Sequence, residues 1–132
     1  MDRVESDQNG FFHFVQALEL LAMDAKSQCE AQGNYNTPWE IQHDVADWAV
    51  LAESPVLGFT PEQKEVTSDL AQQLLDLPSA AIAPAGVSMT TPAGCLAGMR
   101  HVDWEPLRGK AKQLLALLEP VIAENRRYLN PA

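Results

Sequence analysis

The sequence predicts an all-α protein, an antiparallel bundle of four helices, or of five if the last helix is broken. Four segments repeat apolar residues every three or four positions, which is the period of an amphipathic helix. No segment keeps the period of two that half-buried strands show. Most connections between the four segments are short, which favours antiparallel neighbours. The 132 residues suffice for one domain with its own core, so we expect residues 1–132 to form a single helical domain.

The first predicted helix begins near Asn9 or Gly10 and ends at about Gln32, before Gly33. Residues 1–9 precede it and are expected to be a flexible N-terminus. The spacing of its apolar residues places them on one face, which we expect to be buried. These residues are Phe11, Phe14, Leu18, Leu21 and Ala25.

The next two helices share a start signal. Thr37–Glu40 and Thr60–Gln63 both read as a capping box with proline at the first helical position. Ser54-Pro55 predicts the end of the second helix, and Pro78 the end of the third. The expected buried stripes are Ile41, Val45, Trp48 and Ala52 in the second helix, and Val66, Leu70, Leu74 and Leu77 in the third.

A long segment rich in Ala, Pro and Gly, residues 78–102, comes before the last helix. It is expected to be a loop, or to hold a short helix around Ala93 to Met99. The last helix is predicted to start at Asp103, and Pro120 should kink it or split off a fifth helix. Its buried stripe is expected to contain Leu107, Ala111, Leu114, Leu118, Val121 and Ile122.

The charge is strongly negative and unevenly placed. The formal net charge is −9, and residues 1–99 hold fourteen acidic and three basic side chains. This charge disfavours nucleic acid and anionic membranes as partners, because both attract basic proteins. It favours a cationic protein partner, whose approach the field would accelerate.

The two cysteines, Cys29 and Cys95, have no metal-binding spacing. A disulfide between them is one alternative, but buried free thiols in a reducing compartment are the simpler expectation. The polar N-terminus and the lack of a long apolar run agree with this expectation. The predicted location is therefore cytoplasmic.

Acidic and aromatic residues at the second helix form the candidate partner-binding site. Glu40, Asp44 and Asp47 recur at i, i+4 and i+7, so they share one face of the helix. Trp39 and Trp104 lie in the first turns of their helices, where they either form an exposed aromatic patch or close the end of the bundle. We therefore expect a non-enzymatic interaction module, in concrete form an inhibitor or immunity-type protein, with no cofactor.

Two alternatives remain open. In the first, Glu40 and Asp44 join Glu62 and Glu65 of the third helix to hold a divalent metal in an all-α hydrolase. This requires both acidic rows to point inward, whereas the apolar stripes are expected to occupy the inner faces of both helices. In the second, the chain forms a homodimer that is the functional unit.

Overall fold

The computed structural model describes residues 2–32 and 36–129, and this part of the chain is all-helical, as predicted. The predicted number of helices is not confirmed, because shorter helices replace several long ones. The elements are α1 (Arg3–Leu21), α2 (Ala25–Gln32), α3 (Thr37–Trp48), a 3₁₀ helix (Ala49–Glu53), α4 (Pro61–Leu75), α5 (Ser79–Ile82), α6 (Pro92–Met99), α7 (Trp104–Leu117) and α8 (Glu119–Leu129).

The core forms where α1 packs against α3, α7 and α8, and where α4 packs against α3 and α7. Most residues of the predicted stripes are buried there, so the helical periodicity located the core correctly. Removing their apolar surface from water is the main stabilising contribution, at about 25 cal/mol per Å². The buried stripe residues include Phe11, Phe14, Leu18, Leu21, Ile41, Val45, Leu70, Leu74, Leu107, Ala111, Leu114, Leu118 and Val121.

The predicted start of the first helix is wrong. Helix α1 begins at Arg3, because Asp2 caps it by accepting a hydrogen bond of 2.9 Å from the backbone N–H of Glu5. Residues 3–9, expected to be a flexible N-terminus, form the first turns of this helix. An aspartate before an acidic first turn is a start signal that the apolar pattern does not contain.

The same predicted helix is also broken, between α1 and α2. Asp24 caps α2 by accepting a hydrogen bond of 2.8 Å from the Ser27 backbone N–H, and hydrogen bonds from Ser27 lower the pKa of its carboxyl group. The Gln28 side-chain amide donates to the backbone oxygens of Leu20 and Leu21 at 3.1 and 3.0 Å. Both new helix ends are thus satisfied by side chains. The predicted stop at Gly33-Asn34 lies outside the described residues.

The capping box at Thr60 is confirmed, whereas the one at Thr37 is wrong. Thr60 and Gln63 exchange the two expected hydrogen bonds at the start of α4. At α3 the cap is Asn36, whose side-chain oxygen accepts a hydrogen bond of 3.0 Å from the Trp39 backbone N–H. Thr37 is instead buried in the first turn. Asn is as good a cap as Thr, so the sequence pattern alone did not separate the two.

Residues 78–102 contain two helices, α5 and α6, so the expected continuous loop is wrong and the alternative of a short helix before Met99 is confirmed. Thr91 caps α6 by accepting a hydrogen bond from the Gly94 backbone N–H. Helix α6 packs beside α2, and Cys29 and Cys95 form a disulfide between them. The expectation of free thiols is therefore also wrong, because tertiary packing brings together cysteines 66 residues apart.

The last predicted helix begins at Trp104 and is broken after Leu117, so that α8 starts at Glu119. The break predicted from Pro120 is confirmed. Asp103 occupies the cap position, but its side chain makes no capping hydrogen bond. Within residues 2–32 and 36–129, no helix is long and apolar enough to cross a membrane.

One buried hydroxyl predicts a stabilising substitution. Within the described residues, Thr67 Oγ1 of α4 is buried and has no hydrogen-bond partner. We expect Thr67→Val to raise the free energy of unfolding by about 1 kcal/mol, because it removes an unsatisfied polar atom and keeps the shape. Thr67→Ser, which keeps the hydroxyl and loses the methyl group, should lower it by about 1 kcal/mol. Urea unfolding measures both changes. If the two variants changed the free energy of unfolding in the same direction, the Thr67 hydroxyl would not be an unsatisfied buried group.

Candidate functional site

Helix α3 holds the three predicted partner-binding carboxylates on its outer side. Ile41 and Val45 are each 1% exposed and fix the inner face of this helix against the core. Glu40 and Asp44 are half-buried at the edge of the helix, and the Asp47 side chain is 74% exposed. The sequence therefore placed this acidic row correctly outside the core.

An aromatic residue extends this row at the start of the helix. The Trp39 ring is 47% exposed and packs on the His43 imidazole, with 4.1 Å between ring centroids. His43 Nδ1 lies 3.9 Å from an Asp47 carboxylate oxygen. Trp39, His43 and Asp47 thus form a ladder along the outer face of α3. Tryptophan is among the residue types enriched at protein interfaces, so the accessible Trp39 ring makes this face a candidate for partner contact.

Trp48 differs from its predicted position in the core, since its ring is 36% exposed. It lies over α1, where Gly10 has no side chain; a Cβ atom there would be 2.9 Å from Trp48 Cζ3. The ring stacks on His13 of α1, with 5.6 Å between centroids and 15° between planes. Because Gly10 has no side chain, the Trp48 indole can approach α1 closely. The indole thereby lines a pocket between α1 and α3.

A pocket of about 250 Å³ lies between α1 and α3 beside this stack. Its lining combines an aromatic wall, a carboxylate, an amide and a short apolar floor. The α1 side of this pocket was not predicted from the sequence, although its residues recur every three or four positions beside the buried stripe. The lining residues are His13, Gln16, Ala17, Leu20, Asp44 and Trp48.

Asp44 is in an environment that disfavours its negative charge. Partial burial raises the pKa of its carboxyl group above the ordinary value, and the carboxylates of Glu40 and Asp47 raise it further. The positive charges that His43 and His13 carry when protonated oppose this shift only in part. Among the described residues, no Lys or Arg forms an ion pair with any of the three carboxylates. Within residues 2–32 and 36–129, the partly desolvated Asp44 charge thus has histidines beside it but no Lys or Arg ion pair.

This environment predicts a pH-dependent gain in stability for Asp44→Asn. Because the pKa of Asp44 is higher in the folded state than in the unfolded state, ionisation costs stability as pH rises through these two values. At pH 7 we expect the variant to be more stable, by less than about 1 kcal/mol because water screens the site. At a pH below both values the difference should disappear. Thermal unfolding at several pH values tests this, and a variant less stable at pH 7 would contradict it.

A second groove contains an arginine as well as acidic side chains. It has a volume of about 520 Å³ and lies between α1 and the α7–α8 pair, with Phe12 and Ile122 among its lining residues. Here Glu119 accepts a hydrogen bond of 3.1 Å from the Arg126 guanidinium. This groove thus has its own cation, which pairs with one of its two acids, Glu119 and Glu19, whereas no Lys or Arg of the described residues lines the pocket of Asp44.

Trp104, the other aromatic residue of the predicted site, is fully buried, so the expectation of an exposed ring there is wrong. Its indole N–H donates a hydrogen bond of 3.0 Å to the Ala81 backbone oxygen of α5. Helix α5, which supplies this acceptor, lies in the segment that was expected to be a loop. The other interpretation given for this residue, that it closes one end of the bundle, agrees with its burial.

The carboxylates of the metal hypothesis do not converge on a site. Glu40 and Asp44 lie on α3, and Glu62 and Glu65 are exposed on α4. Across residues 2–32 and 36–129, no group of three or more His, Cys, Asp or Glu side chains is arranged to hold a metal ion. The reason is the one anticipated from the apolar stripes, which turn the inner faces of both helices toward the core.

Comparison of the chain with protein-family models, with curated proteins and with solved structures finds no match. The geometry and electrostatics of the α1–α3 face are therefore the basis for a functional hypothesis.

Proposed function

We propose that this chain is a non-enzymatic, acidic helical module that binds a cationic protein partner through the α1–α3 face. This face consists of Trp39, Glu40, His43, Asp44, Asp47 and Trp48 on α3 and the neighbouring pocket residues of α1. An inhibitor or immunity-type protein that neutralises a basic effector is the concrete form of this proposal. It acts by occupying the effector's basic surface, and it needs no cofactor.

The observation that carries the proposal is the unfavourable position of the Asp44 charge. Burial and two neighbouring carboxylates raise its pKa, and the described part of the chain supplies no Lys or Arg to pair with it. A cation from a partner would relieve this cost in the complex. A carboxylate in a cleft whose pKa is raised by burial and by specific charged neighbours is a candidate for function for this reason.

The distribution of charge supports the same partner chemistry. The chain carries a net charge of −9, so its field attracts a basic protein from a distance and accelerates encounter. The exposed Trp39 ring beside the carboxylates offers the apolar contact that makes such an encounter lasting. Long-range charge thus sets the association rate, and the α1–α3 face sets the orientation.

The test uses the tagged full chain to recover its partner from the source cells. Wild type is compared with a variant carrying Glu40→Gln, Asp44→Asn and Asp47→Asn. The matched control carries Glu62→Gln, Glu65→Gln and Asp69→Asn, which remove the same charge from exposed positions of α4. We expect wild type and the α4 control to retain a basic protein, and the α3 variant to lose it.

Ionic strength provides the second readout. At about 1 M salt the Debye length falls to about 3 Å, so the association rate should drop steeply if charge steers the encounter. Equal loss of the partner in both charge variants would contradict the site, since total charge alone would then explain binding. Retention by the α3 variant would contradict the proposed face. A homodimer without a second protein, seen by light scattering, would favour the self-association alternative instead.

The cytoplasmic location expected from the sequence stays a prediction, and the disulfide weighs against it. Disulfides persist in oxidising compartments and are rare in the cytosol. The Cys29–Cys95 bond is therefore better matched to an encounter with a basic effector in an oxidising compartment. Trapping of free thiols in intact cells decides between the two, because a cytoplasmic pool would carry reduced cysteines.

A further inference from the structure

The pocket between α1 and α3 is of a size suited to one side chain. Its volume is about 250 Å³, below the range of about 300–1,000 Å³ typical of sites for drug-sized ligands. Ala17 and Leu20 give it apolar surface along α1, and Asp44 gives it one carboxylate from α3. A long side chain with a methylene stem and a cationic head matches both parts.

The aromatic wall favours a planar cation. Trp48 is the best type of ring for a cation–π contact, and arginine makes such contacts more often than lysine. The Trp48 ring stacks on the His13 ring within 15° of parallel, so the indole is held in place from the α1 side and a cation would lie on the part of the ring that His13 leaves uncovered. A guanidinium group can lie flat on an indole, whereas an ammonium group is a compact, strongly hydrated point charge.

The polar groups of the pocket match the donors of a guanidinium. A carboxylate such as Asp44 accepts two parallel N–H donors from the planar fork of arginine. The Gln16 side chain lines the same pocket and offers an amide oxygen for a further donor. Lysine carries the same charge but lacks the planar arrangement of donors, so its ammonium group can donate to fewer of these acceptors at the same time.

We propose, building on the proposed function, that this pocket binds a single arginine side chain of the partner, with the guanidinium between Asp44 and Trp48. The α1–α3 face therefore recognises an arginine-bearing segment, and not positive charge in general. The arginine stem lies along Ala17 and Leu20, and Gln16 accepts a hydrogen bond from the head group.

The experiment titrates the isotope-labelled full chain with N-acetyl-L-arginine amide and follows proton–nitrogen correlation spectra. We expect saturable shifts of the Trp48 indole N–H and the Gln16 side-chain amide, with a Kd on the order of 1 mM for so small a probe. N-acetyl-L-citrulline amide, a neutral molecule of the same shape, and N-acetyl-L-lysine amide should each bind about tenfold more weakly.

Two variants locate the site. Asp44→Asn should weaken binding of the arginine probe about tenfold, while Asp69→Asn removes the same charge from an exposed position of α4 and should leave it unchanged. Shifts that fail to reach Trp48, or equal losses in both variants, would overturn the site. Equal binding of the lysine and arginine probes would overturn the preference for arginine.

The outcomes separate this inference from the proposed function. A partner that is captured through the α3 carboxylates, together with an arginine probe that leaves Trp48 unshifted, overturns the pocket and leaves the interaction module standing. An arginine probe that binds at Asp44, together with an α3 variant that retains its partner, overturns the proposed face and the partner's arginine as the occupant, and leaves only the affinity of the pocket for a guanidinium group.

Discussion

Arg108→Ala is expected to lower the free energy of unfolding by about 2–4 kcal/mol, because it deprives two buried acceptors of their donor in a network that joins four helices. The Arg108 residue is 7% exposed, and its guanidinium donates to Gln28 Oε1 at 2.8 and 3.3 Å and to the Met99 backbone oxygen at 2.6 Å. The Gln28 amide in turn donates to the last turn of α1. The variant would leave two buried acceptors without these donors.

Guanidinium chloride unfolding measures this loss, with Arg126→Ala as the matched control. The Arg126 side chain is 62% exposed and bonds to Glu119 at the surface, so its replacement should cost about 0–1 kcal/mol. Gln28→Ala should resemble Arg108→Ala, because it deprives a buried guanidinium of its main acceptor. If Arg108→Ala cost no more than Arg126→Ala, the network would not stabilise the junction of α1, α2, α6 and α7.

Loss of the Cys29–Cys95 disulfide is expected to lower the free energy of unfolding by about 4 kcal/mol. The bond closes a loop of 66 residues, and chain entropy in the unfolded state predicts a cost of this size for its removal. Thermal unfolding with and without dithiothreitol measures the effect. A variant with Cys29→Ala and Cys95→Ala should unfold at a lower temperature than the oxidised protein, and its midpoint should be independent of reductant.

A midpoint of the wild-type protein that does not move on reduction would contradict this prediction. It would also mean that packing between α2 and α6 holds these helices together without the bond. The reductant-independent double variant separates this result from incomplete reduction, because it sets the midpoint that fully reduced protein should approach.

The local signals in the sequence were sufficient for much of the fold. Apolar spacing found the inner faces of α1, α3, α4 and α7, because burial of a helix stripe repeats with the period of the helix. The capping box at Thr60 and the break at Pro120 were found because both depend on neighbours within one turn. Each of these features is decided by residues close together in the chain.

Features that depend on distant residues were missed. Gln28 and Arg108 are 80 residues apart, yet their hydrogen bonds accompany the break between α1 and α2. Arg108 follows Leu107 of the buried stripe and resembles a surface cation in the sequence. The disulfide and the burial of Trp104 depend in the same way on where α5 and α6 pack.

The candidate site also has one part that depends on neighbouring residues and one part that depends on distant residues. Glu40, Asp44 and Asp47 were found from spacing, because a single helix presents them. The pocket was missed, because it exists only where Trp48 crosses Gly10 and stacks on His13 of another helix. The charge of the proposed face could therefore be predicted from the sequence, whereas the pocket to which we assign selectivity for arginine could not.

Site-specific photo-crosslinking in the source cells tests the central claim most directly. A photoreactive phenylalanine derivative replaces Trp39 on the proposed face or, as control, Val102, which is 73% exposed and not part of that face. We predict crosslinks from position 39 to an arginine-bearing segment of a second protein. They should disappear when Glu40→Gln, Asp44→Asn and Asp47→Asn are added. Crosslinks from position 102 alone, or crosslinks from position 39 that survive loss of the three carboxylates, would contradict the account.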